Sequence, residues 1–481
     1  MRIKGGLILF SLLLLFIQCT TPYYLGLSSS PTNRSSKSVT NWVVTNPETV
    51  YDTEITLTGN LIVSDSLTLN HVTLRINCSN PGQFGIQVYA GGFLCITNGS
   101  KVVAVNSSAP YFFKTYEDAS LRITNSEIHN CGYPGPNQDT WGLFIDNADY
   151  VLIHNSTLSN NYVGLVVYGH SPFGTAPVIE NCIISNNTLD GVWTGYTFAV
   201  PRLHGNWILD NGRDGVMSWG STELWGNVIA RNRIGLNLQN SPLGVMNNTI
   251  VFNRQSGILI NTTWAHIEGN VIAYNNGSGI IGPGSEAEIR YNNLFGNGGW
   301  GIAEAIGVVN ASLNWWGNSS GPEVTNSPDA IDPEEVQENL IIEPWLTEPY
   351  PAGMPPSIGV LQPTEGSIVW GICTVVVFVD AVLAVDHVDF FIDGKWMASD
   401  NNSPFEWEWN TIGFMNGYHL LMVVASDVVG NQVSQNTSIF VNNWSVPGTI
   451  IFFSLLICIP LSPLIIIGIF VDARFLRKPE K

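Results

Sequence analysis

Between residues 125 and 322 the apolar residues fall in clusters of two to four, each bounded by Asn and Gly, and the clusters return in a fixed order. Asn pairs five positions apart mark the repeat: Asn125/Asn130, Asn155/Asn160, Asn181/Asn186, Asn206/Asn211, Asn227/Asn232, Asn248/Asn253, Asn270/Asn275 and Asn292/Asn297. Their first members are 30, 26, 25, 21, 21, 22 and 22 residues apart, so the unit settles at the length of a solenoid coil. From Asn155 on, an apolar residue stands three before each first Asn: Leu152, Val178, Leu203, Leu224, Val245, Ile267 and Ile289. After each second Asn comes a Gly followed by an aliphatic residue, from Gly164-Leu165 to Gly301-Ile302. Clusters this short predict strands of four or five residues, three to a coil, and are too brief for helices.

Asn and Gly tolerate left-handed backbone, so each Asn predicts a tight corner. Stacked at the strand spacing of about 4.8 Å, successive Asn amides can hydrogen-bond as a ladder. A Leu-dominated horseshoe consensus and a propeller-length unit are both missing. The expectation is an all-β chain whose residues 40–346 form a right-handed parallel β-helix. Alternation in Ile55-Leu57, Leu61-Val63, Leu67-Leu69 and Val72-Leu74 places its opening coils in the blurred region 42–119, where a degenerate cap is expected.

Beyond a Pro-rich linker at 347–356, strands with turn signals every 8–12 residues predict an immunoglobulin-like β-sandwich over 357–443. Residues 447–471 are almost all apolar, long enough to cross a bilayer, with kinks expected at Pro460 and Pro463. The tail 472–481 carries Arg474, Arg477, Lys478 and Lys481, which predicts a single-pass transmembrane helix with a cytoplasmic C-terminus. Arg2, Lys4 and the apolar run 7–17 make residues 1–28 a signal peptide, so the bulk of the chain is expected outside the cell.

The succession Asn314-Trp315-Trp316-Gly317, Gly321-Pro322 and Pro344-Trp345-Leu346, behind Asn/Gly coils, resembles the C-terminal end of secreted right-handed β-helix surface proteins of archaea and some bacteria. The resemblance covers residues 40–350. It extends to carbohydrate-binding and sugar-cleaving β-helices and to the β-helix accessory proteins of nitrous oxide reductase maturation, and it implies a fold and not an activity. The phrases 388–394, 403–405, 409–411 and 425–431 are similar to the immunoglobulin-like modules of bacterial and archaeal surface proteins.

Acidic residues outnumber basic ones 38 to 19, for a net charge of −19, which argues against nucleic acid as a partner. The expected partners are the membrane, through the C-terminal helix, and a polysaccharide or an envelope protein. Cys78, Cys95, Cys131, Cys182 and Cys373 are an odd set; Cys78 and Cys95, 17 apart, could stack and bridge. Glycosylation candidates are Asn33, Asn77, Asn98, Asn106, Asn261, Asn276, Asn310, Asn318, Asn401, Asn436 and Asn443. Asn155 and Asn186 also head sequons, but as ladder members their amides are expected to be occupied.

If the aliphatic residue after each marker Gly points inward, the next faces out, giving Val166, Trp193, Met217, Asn237 and Leu259 on one sheet face. Tyr168 and Trp219 share that face, and with Trp193 they form a candidate sugar-stacking surface. The connections 170–175 and 195–201 could wall it. Asp190 and Asp214 precede marker glycines in successive coils, which predicts a separation of about 5 Å, that of a retaining glycosidase pair. Arg213 and Arg231 lie near, so a lyase with an Arg base and acidic calcium ligands is a further option, although Asp-Gly is also ordinary turn chemistry. His129, His154, His170 and His204 occupy different coil positions and predict no metal site. The function expected is binding or adhesion by a membrane-anchored surface protein, with a polysaccharide lyase or glycoside hydrolase second and a purely structural envelope role third. No cofactor is expected, calcium excepted.

Overall fold

A computed structural model describes residues 35–445, apart from 170–175, 196–199, 240–243, 263, 325–334 and 337–338. The signal segment, Asn33, the apolar run 447–471, the basic tail, His170 and most of the two candidate groove walls therefore lie outside the described residues.

Three parallel sheets of 12, 14 and 13 strands run the length of the solenoid, and every third strand joins the same sheet until the last coil, where the consecutive strands Glu323–Val324 and Glu335–Val336 pair in the second sheet. One coil shows the plan: Trp207–Leu209 lies in the first sheet, Asp214–Ser218 in the second and Glu223–Trp225 in the third. Their inward residues Ile208, Val216 and Leu224 are fully buried and pair in register with Ile229, Leu236 and Val245 of the next coil. The opening clusters Ile55-Leu57, Leu61-Val63 and Leu67-Leu69 are equally buried, one in each sheet. Among the described residues there is no α-helix, and none is long and apolar enough to cross a membrane.

The corners use Asn in two distinct ways. From Asn206 on, the ladder Asn is buried and its predecessor is the left-handed residue: Gly205, Gly226, Asn247, Gly269 and Tyr291 all have φ between 55° and 66°. The second corner repeats this with Asp210, Arg231, Phe252, Tyr274 and Gly296 before Asn211, Asn232, Asn253, Asn275 and Asn297. In the first three coils the Asn pairs of the repeat are themselves the left-handed residues, and the ladder positions one residue later hold Ser126, Cys131, Ser156, Asn161, Cys182 and Asn187. That one-residue shift corrects the sequence reading. Leu152 and Val178 accordingly face outward, half-buried, while Ile153 and Ile179 fill the core. Asn155 and Asn186 are exposed rather than committed to the buried ladder.

The marker glycines serve close approach and not left-handed backbone. A Cβ on Gly191 would stand 2.7 Å from the Gly215 carbonyl oxygen and 2.8 Å from the ladder amide of Asn211, and the same clash recurs at Gly215 and Gly235.

The C-terminal module is a β-sandwich of three and five strands around Val375, Val388, Phe390, Trp409, Leu421 and Ile439. It is held against the flank of the β-helix. Outward residues of the first sheet, Val228, Ala230, Val251, Val271 and Ala273, are buried under Ala352, Leu383 and Val429. The Pro-rich segment between the two units lies along this flank as a strap: Asn293 exchanges hydrogen bonds with the Tyr350 backbone, the Met354 N–H donates to Thr249, and Asn431 donates to the Ala352 carbonyl. A carboxylate cannot be buried in such a contact without large cost. Leu383→Asp combined with Val429→Asp is therefore expected to release the module and make the strap several times more susceptible to limited proteolysis, with unchanged cleavage refuting a tight clamp.

Cys78 and Cys95 are both free, which corrects the bridge considered from their spacing. Cys78 is buried among core residues, whereas Cys95 lies on the outer row of the third sheet beside Thr68 and Arg122, so the two side chains do not meet. Asn77, Asn98, Asn106, Asn261, Asn276, Asn310, Asn401 and Asn436 are exposed, and Asn318 is half-buried. Asn443 is not available for a glycan. Its amide donates to the Thr411 carbonyl and accepts from the Thr411 hydroxyl and the Gly371 N–H.

Candidate functional site

The outer face of the second sheet is where the sequence places an aromatic platform, and its elements position the rings as follows. Strand Val163–Tyr168 carries Val166 and Tyr168, and Val192–Gly195 carries Trp193 directly beside Val166. Trp193 lies back over Gly195, whose missing side chain makes the room, stacks on Tyr168 at 6.3 Å and meets the edge of Trp141 at 5.9 Å. Trp141 arrives from the excursion around the turn Gln138–Thr140, a cover that the repeat pattern gives no sign of.

The result is a satellite apolar cluster of Phe144, Val163, Val166 and Trp193, with Tyr168 and Met217 at its margin. Trp193 is only 5% exposed, so it cannot offer its face to a sugar, a correction to the platform reading. Trp219 remains open at 37%. An exposed indole that repeat spacing did not single out, Trp225, stands on the third sheet beside His204 and among the ion pairs Arg202–Glu223 and His204–Glu223. Its signal was the alternation in Glu223-Leu224-Trp225, which puts Leu224 inside and Trp225 outside.

Asp190 and Asp214 do lie in adjacent coils, since the Asp214 N–H donates to Asp190 Oδ1 at 3.0 Å. Both are buried, at 0% and 1% exposure. Arg213 binds Asp190 in a fork, through Nε to Oδ1 at 2.7 Å and through Nη2 to Oδ2. Asp214 accepts from Arg233 Nη2 and from Asn237 Nδ2, each at 2.9 Å. All four carboxylate oxygens are thus engaged. Burial pushes the Asp190 carboxyl above the usual carboxylate range, partly offset by Arg213. Arg231 is bound to Asp210 at a different corner and takes no part. A glycosidase acid must present its proton to a leaving oxygen in a cleft, and an Arg base must be free to accept one; neither condition holds here.

The family described as "Right handed beta helix region" matches residues 55–234, "Periplasmic copper-binding protein (NosD)" matches 211–314 and "Bacterial Ig domain" matches 356–438. No curated protein matches the chain. Similar solved structures include fibronectin(III)-like modules of Clostridium thermocellum CbhA, at 22% identity over 21% of this chain and 50% of that chain, with a TM-score of 0.18. They also include the periplasmic alginate epimerase AlgG, at 16% identity over 61% of this chain and 77% of that chain, with a TM-score of 0.41. The chain spans half the length of the first of these.

The copper named in the second description finds no fitting ligand set. Residues 211–314 contain one histidine, His266, and no cysteine, and Met217 and Met246 stand on different sheets. His266 contacts Glu268 and Glu288, and among the described residues no three His, Cys, Asp or Glu side chains converge on one point. Sheets, ladders and matched spans agree on one identification: the chain is a right-handed parallel β-helix protein with a C-terminal immunoglobulin-like module.

Proposed function

We propose that this protein is anchored in the cell membrane by its apolar segment 447–471, with the bulk of the chain outside the cell, and acts there by binding, with glycans or envelope proteins as its partners. The observation that carries this reading is the saturation of Asp190 and Asp214 by Arg213, Arg233 and Asn237. The carboxylates best placed by sequence for sugar cleavage are structural pairs, while exposed indoles remain on the same solenoid at Trp219 and Trp225. Flat aromatic rings beside hydrogen-bonding groups suit a sugar face. The net charge of −19 favours neutral or cation-bearing partners over polyanions.

The test is retention of the full chain, carried in vesicles, on insoluble polysaccharides. Trp219→Ala with Trp225→Ala is expected to cost about 1 kcal/mol in binding, roughly a fivefold loss of retention. Release of reducing ends or unsaturated products that disappears with Asp190→Asn would overturn the binding reading in favour of catalysis. Unchanged retention in the double Trp variant would move the ligand off these rings.

A further inference from the structure

The immunoglobulin-like module has two poles of opposite character. At one, the loops holding Leu383 and Val429 pack on the β-helix. At the other, the segments 369–372, 410–418 and 441–445 converge on the point where the described chain ends. Asn443 ties them together: its Oδ1 accepts from Gly371 N at 3.3 Å and Thr411 Oγ1 at 2.8 Å, and its own N–H donates to Asn416 Oδ1 at 2.7 Å.

This second pole exposes Met415 at 84% and Trp444 at 68%, together with Tyr418, Ile372, Ile412 and Trp370. No Asp, Glu, Lys or Arg occurs in the three segments. One ion pair, Asp393–His419, is joined to the pole through the hydrogen bond between His419 and the Met415 carbonyl. Large exposed apolar residues scattered singly are ordinary on protein surfaces, whereas a contiguous uncharged group around one point marks a contact.

What that contact is follows from the next residues. The chain leaves the pole at Ser445 and the apolar run begins at Pro447, so a single residue, Val446, and a reach of roughly 7 Å separate the patch from the proposed bilayer segment. Trp and Tyr with aliphatic neighbours are the side chains that partition into the headgroup layer, and the three segments bring no Asp, Glu, Lys or Arg of their own to desolvate, the Asp393–His419 pair lying beside them. We propose that this pole seats in the bilayer interface, so that the module is fixed at both ends: by lipid at Met415, Tyr418 and Trp444, and by the β-helix flank at Leu383 and Val429. The strand Gly417–Asp427 runs from one pole to the other, and its 11 residues set the module's span at roughly 33 Å. The β-helix is then presented at a fixed height above the headgroups instead of swinging on a tether. This rests on the anchoring proposed above.

Photo-crosslinking of the full chain in phosphatidylcholine vesicles tests it. A benzophenone amino acid is placed at Met415, at Leu455 within the apolar run, or at Phe378, an exposed residue six positions along its strand from Ile372. Lipid adducts are expected at Met415 and Leu455 and not at Phe378. Adducts at Leu455 with none at Met415, or only protein adducts at Met415, overturn the seating and leave the anchor in place. Equal lipid labelling at Met415 and Phe378 overturns it as nonspecific adsorption. Failure at Leu455 as well as Met415 overturns the anchor itself.

Discussion

Replacing Asn227 by Leu is expected to destabilise the β-helix by about 3 kcal/mol, because a side chain of similar size would leave buried polar groups without partners. Asn227 is fully buried, its Oδ1 accepting from both the backbone N–H and the side-chain amide of Asn206. Its own amide donates to the Leu203 carbonyl at 2.7 Å and to Asn248 Oδ1 at 2.9 Å. One substitution thus touches three consecutive coils. Asn155→Leu, at an exposed left-handed position, is expected to cost only about 1 kcal/mol of backbone strain. Urea denaturation followed by far-ultraviolet circular dichroism separates the two. Equal losses would mean that the buried ladder contributes nothing beyond a corner.

That contrast also explains what the sequence disclosed and where it misled. Stacked coils demand the same residue at the same corner, so the spacing of the repeat and the alternation of its strands point to the architecture directly. The register slipped because Asn satisfies two demands at adjacent positions: it tolerates positive φ at Asn125, Asn155 and Asn181, and it bridges coils at Asn206 and beyond. The doublets Asn160-Asn161, Asn186-Asn187 and Asn247-Asn248, in which both roles are filled side by side, were the available sign of this. The docking of the module was also visible in part. Val228-Ile229-Ala230 and Val271-Ile272-Ala273 are apolar at every position, which a strand with one face in water does not require. Composition alone made 347–356 a linker, because Pro-rich character reports stiffness and says nothing of what the chain lies against.

The candidate site was less legible, since side-chain partners are set by register between coils. Trp193 stands beside Val166 on the second sheet, but the residue that covers it, Trp141, comes from an insertion outside the repeat. Asp190 and Asp214 lie in successive coils, but whether two carboxylates face a substrate or an arginine depends on the neighbour one residue before Asp214.

Arg213 therefore carries the second large effect. Arg213→Met is expected to destabilise the fold by about 3–5 kcal/mol, because it strands the buried Asp190 charge without its counter-ion. The sign of the pH dependence follows from the direction of the shift. Burial already raises the folded-state pKa of Asp190 above its unfolded value, and Arg213 is the main opposing influence, so its loss raises that pKa further. A carboxyl whose pKa is raised on folding penalises the folded state above that pKa, and the penalty lifts as pH falls toward the unfolded value. The Arg213→Met protein should accordingly recover stability relative to wild type on acidification from neutral pH, an inversion of ordinary acid sensitivity. Asp190→Asn in the same chain should remove both the penalty and its pH dependence, since Asn can still accept the Asp214 N–H. Denaturation of the wild type, both single variants and the double variant at neutral and mildly acidic pH gives the coupling directly. Additive losses at neutral pH would show that Asp190 and Arg213 do not act as a pair, and would return the carboxylate to consideration as a group free for chemistry.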